Sequence, residues 1–143
     1  MKKVMALILA ILMVFNFTWM VFAEEESPIQ GEDIEEYVNT QKAEATLSIN
    51  STGTTTVKIA CTGLPGTSHI SSVTYLEKRS GSSWSRVSFN GMSQIEDGAS
   101  ASFISRTYTT TVGSGTYRAT AIFTVTRGGV NETVTVYSSS VVH

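Results

Sequence analysis

The stretch Thr116-Tyr117-Arg118-Ala119-Thr120-Ala121-Ile122-Phe123-Thr124-Val125-Thr126 decides the fold class of this chain. Tyr117, Ala119, Ala121, Phe123 and Val125 recur at every second position, and Arg118, Thr120, Ile122, Thr124 and Thr126 fill the gaps. Successive side chains of a strand point to opposite faces, so this period of two predicts a strand with the first set turned inward. Gly113-Ser114-Gly115 precedes it. Arg127-Gly128-Gly129-Val130 follows as a hairpin turn into a last strand marked by Val134 and Val136.

The same texture continues upstream. Residues 99–112 predict one long Ser/Thr-rich strand with Phe103, Ile104 and Tyr108, and residues 90–98 predict a loop. Ser80-Gly81-Ser82-Ser83 turns the chain between two further strands. The earlier one is read with Val73 and Tyr75 inward, although adjacent Leu76 blurs the facing, and the later one carries Trp84, Val87 and Phe89. Before the loop at 63–69, Val57, Ile59 and Cys61 alternate with Lys58, Ala60 and Thr62, and Leu47 and Ile49 mark the first strand. About seven strands in roughly 100 residues, with turn signals about every 8 to 12 residues, predict an all-β, two-sheet antiparallel sandwich. A closed barrel is the main rival. Either buries one alternating face of each strand, at roughly 1.5 to 3 kcal/mol for each large side chain removed from water.

The 143 residues, 41% hydrophobic and 15% charged, suit one globular domain. Lys2 and Lys3 precede an apolar run over residues 4–23, interrupted by Asn16 and Thr18 and ended by Glu24. This pattern predicts a signal helix over residues 1–23, cleaved after Ala23, with Val21 and Ala23 at the positions a signal peptidase reads. An uncleaved anchor is the competing reading, because about 20 apolar residues span a bilayer. The orientation is the same in either reading, with the lysines inside and the rest of the chain outside the cell, secreted or held at its surface.

Residues 24–43 carry Glu24, Glu25, Glu26, Glu32, Asp33, Glu35 and Glu36 together with Pro28 and Gly31, and are read as an acidic flexible linker. The spacing of Ile34, Tyr37 and Val38 permits one or two helical turns within it. Residues 44–143 form the predicted domain, in which five acids meet seven bases. That small excess of base excludes nucleic acid as an expected partner, since phosphate binding needs clustered Lys and Arg.

The order of residues resembles the immunoglobulin-like sandwich. Cys61 sits where that family carries the first cysteine of its core pair, and Gly115-Thr116-Tyr117-Arg118-Ala119 resembles the Gly-x-Tyr-x-Cys of its sixth strand. Ala119 stands where the second cysteine would be, Gly113 replaces an Asp often found four residues before the tyrosine, and neither Val73 nor Tyr75 supplies the family's core tryptophan. Residues 76–84 (LEKRSGSSW) together with Gly115-Thr116-Tyr117-Arg118 are also similar to small secreted immunoglobulin-like proteins of Gram-positive bacteria, mostly without assigned function. The resemblance covers the chain from residue 44 onward. It implies a fold, a bacterial source and an extracellular address, and makes Tyr117 a corner tyrosine whose hydroxyl bonds to nearby backbone.

Chemistry-bearing residues are sparse. Cys61 is the only cysteine, read as a buried small hydrophobe, with a reactive or intermolecular thiol as the alternative. His69 and His143 are the only histidines. A zinc site needs three or four ligands and a Ser-His-Asp triad needs an oriented base, so no metal, cofactor or catalytic residue is expected. Glu96 and Asp97 are adjacent in the predicted loop, a place for capping a turn more than for paired-carboxylate catalysis. Gly128-Gly129 reads as a turn because no helix follows to receive a phosphate. Asn50-Ser51-Thr52 and Asn131-Glu132-Thr133 fit the glycosylation sequon, which carries no meaning in a bacterial secretory route.

Trp84 beside Arg86, with Lys78 and Arg79 across the hairpin, forms the candidate ligand-binding group, able to engage an anionic or carbohydrate ligand by stacking and charge. The bland alternative is that Trp84 covers one end of the core while the cations keep an outer face soluble. Tyr117, Cys61 and Ala119 are structural. The function expected is a non-enzymatic, monomeric binding module for a protein or glycan at the cell surface or in the medium. A self-associating structural component of the cell envelope or extracellular matrix, and a hydrolase of unfamiliar design, are the alternatives.

Overall fold

The computed structural model describes residues 37–143. The expected signal peptide, its cleavage site and the acidic stretch through residue 36 lie outside the described residues. What is described is all-β, without a helix.

Nine strands follow in chain order: β1 (Thr40–Ile49), β2 (Thr54–Gly63), β3 (Thr67–Ser80), β4 (Ser83–Val87), β5 (Ile95–Ala99), β6 (Phe103–Thr111), β7 (Thr116–Arg127), β8 (Val130–Tyr137) and β9 (Val141–Val142). They form two antiparallel sheets. One has the order β1-β2-β6, and the other β4-β3-β7-β8 with β5 also on β3 and β9 also on β7. β1 begins at Thr40, so residues 40–43 of the expected linker belong to the first strand.

β7 is as its alternation dictates: Tyr117, Ala119, Ala121, Phe123 and Val125 are all buried. They meet Val57, Ile59, Cys61 and Ile104 of the facing sheet in one core. The facing of β3 is the reverse of the expected one. Ile70, Ser72, Thr74 and Leu76 are buried and Val73 and Tyr75 turn outward. The reason is register. Ile70, Ser72, Thr74 and Leu76 lie opposite Val125, Phe123, Ala121 and Ala119, and directly opposed residues share a face. The sequence misleads here because two small polar side chains occupy inward positions, and a period-two reading assigns those positions to solvent.

Residues 90–98 are not one loop, and residues 99–112 are not one strand. Phe89 and Met92 exchange backbone hydrogen bonds of 2.8 and 3.1 Å around Asn90 and Gly91, whose φ values are 52° and 82°. Two consecutive left-handed residues make the hairpin turn that matches strand twist, for which Asn-Gly is the favoured pair. The turn seats Phe89 fully inside, edge-on to Tyr108 with ring centroids 6.1 Å apart. β5 then pairs with β3, and only at Phe103 does the chain enter the other sheet.

Candidate functional site

The outer face of the six-stranded sheet gathers most of the polar and aromatic chemistry. Cross-strand register places Arg86 of β4, Glu77 of β3 and Arg118 of β7 in one row, with Trp84 opposite Arg79 beside it and Tyr75, Thr120 and Tyr137 in the row on the other side. Arg118 donates through Nε to Glu77 Oε2 at 2.7 Å, and the Thr120 hydroxyl donates to the same oxygen at 2.8 Å. The Arg118 guanidinium carbon lies 4.5 Å from the ring centroids of both Trp84 and Tyr137. Arg86 lies 3.7 Å above the Tyr75 ring and donates to Gln94 at 3.0 Å.

These contacts build a small second core on a solvent-facing surface. Thr120 is fully buried and Glu77 is 9% exposed, both covered by the aromatic and guanidinium groups above them. The Glu77 charge is tolerated at that depth because a charge-assisted bond and a hydroxyl bond satisfy it. Cation–π stacking contributes about 0.5 to 2 kcal/mol per pair, depending on exposure.

Of the expected group, Trp84, Arg79 and Arg86 share this face. Lys78 does not. It is one position out of phase on β3, so it points the other way, donates to the Ser114 carbonyl at 2.8 Å and lies 5.6 Å from the Tyr117 ring centroid. Arg118, Tyr75, Tyr137 and Glu77 are the members that sequence reasoning missed. Arg118 already stood on the outward set of the best-defined strand. Tyr75 was hidden by the mistaken facing of β3, and Tyr137 by reading the last strand no further than Val136.

The Tyr117 hydroxyl donates to the Gly113 carbonyl at 2.9 Å, and Ala119 and Cys61 are buried in the common core. Burial, reinforced by the Glu132 charge, pushes the Cys61 thiol up from 9.0 to about 11. Such a thiol carries almost no thiolate at neutral pH and is a poor nucleophile.

Glu96 and Asp97 are on β5 rather than in a loop, and strand alternation sends them to opposite faces. Asp97 takes two bonds from Arg106, at 2.6 and 3.1 Å, which tie β5 of one sheet to β6 of the other. The Arg106 hydrogen bond holds the Asp97 carboxyl below its ordinary 3.8 against the opposing effect of burial. That favours a permanently ionised structural carboxylate, and two acids on opposite faces cannot flank one bond. Among the described residues no three His, Cys, Asp or Glu side chains converge as a metal site would require.

No protein-family model, no curated protein and no solved structure matches this chain.

Proposed function

We propose that this chain is an exported, non-catalytic recognition module with an immunoglobulin-like fold, and that it binds its partner on the outer face of β4-β3-β7-β8. The observation that carries the reading is Arg118 stacked between Trp84 and Tyr137 on a face open to solvent. Trp, Tyr and Arg are the side chains over-represented among residues that dominate binding energy.

The strand orders β1-β2-β6 and β4-β3-β7-β8 support the immunoglobulin-like assignment, because that family also separates its first, second and fifth strands from its third, sixth and seventh. The Tyr117 corner bond supports it too. β5 departs from the family pattern by staying on the β3 edge. Export rests on Lys2 and Lys3 and the apolar run behind them.

The test is capture of the exported protein by an array of surface glycans and secreted proteins. Trp84→Ala and Tyr137→Ala should each reduce capture by about tenfold, the size of a modest hot-spot loss. Equal capture by a folded Trp84→Ala variant rejects the face as the binding surface. A second reading, self-association, draws on β1, which pairs only with β2 among the described residues and so leaves one row of backbone groups open.

A further inference from the structure

Arg79, Arg86 and Arg118 stand on one face with donors to spare. Among the described residues Arg118 uses only Nε–H, toward Glu77, and Arg79 only Nε–H, toward the Gly81 carbonyl. Arg86 uses one Nη1–H, toward Gln94. The remaining terminal N–H groups form the planar fork that matches a carboxylate. Two of the three guanidiniums lie over aromatic rings and are also hydrogen-bonded, so less rotational freedom is left to lose when a ligand arrives. Glu77 is the one acid among them and is already engaged, while Glu96, on the β5 part of the same face, is held by Gln94 at 2.7 Å. The β4 end of the face therefore carries an excess of positive charge.

The geometry points to an acidic protein as the partner, docking its carboxylates on Arg79, Arg86 and Arg118 and its apolar groups around Trp84 and Tyr137. This inference rests on the recognition face proposed above and adds the chemistry of what it takes. Charge favours an anionic ligand, and ring accessibility favours protein over sugar. Stacking a pyranose needs a bare aromatic face. Arg86 covers one face of Tyr75 and Arg118 fills the space between Trp84 and Tyr137, so each ring keeps at most one bare face and the two cannot sandwich a sugar ring. Small ligands also favour concavities. The cavity of about 240 Å³ beside the Asn90-Gly91 turn touches this group only through Arg86, and larger ones of about 470 and 290 Å³ lie elsewhere on the surface. An open face rich in Trp, Tyr and Arg is instead the composition of protein–protein contact.

The experiment compares binding of poly-L-glutamate and of polygalacturonate, matched in carboxylate concentration, to the exported protein. The wild type should bind poly-L-glutamate more tightly than polygalacturonate. The double variant Arg79→Gln/Arg86→Gln should weaken poly-L-glutamate binding by about tenfold or more, whereas Lys58→Gln, on the outer face of the other sheet, should change it by less than about twofold. Both sites are exposed, and an unchanged thermal midpoint verifies folding. Absence of binding, or equal loss in Lys58→Gln and in the double variant, overturns the inference. Tighter polygalacturonate binding that the double variant abolishes also overturns the partner class, while leaving the recognition face standing. Trp84→Ala in the capture assay separately decides that face.

Discussion

Glu132 shows how much one half-buried carboxylate organises. It accepts from the amides of Val38 and Asn39 and from the Thr40 hydroxyl at 2.7 Å, and so pins the entry of β1 against β8. The Asn39 side chain completes the clamp by donating to the Val130 carbonyl at 3.1 Å. Burial on its own would raise the Glu132 pKa, but the Thr40, Val38 and Asn39 hydrogen bonds outweigh it and leave the pKa below the ordinary 4.5. A carboxyl whose pKa falls on folding lends stability that is complete above the unfolded value and is lost as pH drops through the folded one. Urea midpoints should therefore be level above pH 4.5 and decline below it, with Glu132→Gln showing a shallower decline. A variant that keeps the wild-type acid slope would show that Glu132 does not drive the loss. Nothing in the sequence marked this residue, which read only as the middle of a sequon, because its partners lie more than 90 positions away in the chain.

At the scale of elements, the Asn90-Gly91 turn folds the connection between β4 and β5 and seats Phe89 in the core, while both strands stay on the β3 edge. Asn90 also donates from its side chain to the Thr109 carbonyl, tying the turn to β6. Gly91 has φ 82°, and a Cβ there would meet nothing within 4 Å, so the cost of adding one is purely conformational. Gly91→Ala should destabilise by about 1 kcal/mol, the price of a left-handed L-residue. Chemical denaturation measures it, and a neutral result would mean that the turn relaxes to another type. The Asn-Gly pair was visible in the sequence as a two-residue hairpin signal, yet Phe89 and Met92 are flanked by too few alternating residues for it to stand out. The Gly128-Gly129 turn was legible, by contrast, since long alternating strands lie on both sides of it.

For the whole molecule, two sheets cohere with no disulfide, since Cys61 is the only cysteine and is buried. Reductant should leave the thermal midpoint unchanged. The edge of the larger sheet beside β3 is divided between β4 and β5, five residues each, and short broken edges discourage sheet-to-sheet growth. Sedimentation over a concentration series should report a monomer if the recognition reading holds, whereas a rising sedimentation coefficient would favour self-association through an edge left open, such as β1. The sequence by itself determined that the domain is all-β, where its best strand lies, which face of that strand is buried, and that Trp84, Arg79 and Arg86 belong together, because alternation and two-residue turns are local properties. Only the tertiary structure decided the facing of β3, the division of residues 90–112, and the union of Arg118 with Trp84, Glu77 and Tyr137. Those depend on which strands lie side by side and in what register, and register is chosen by the summed burial of both sheets, a quantity no single segment contains.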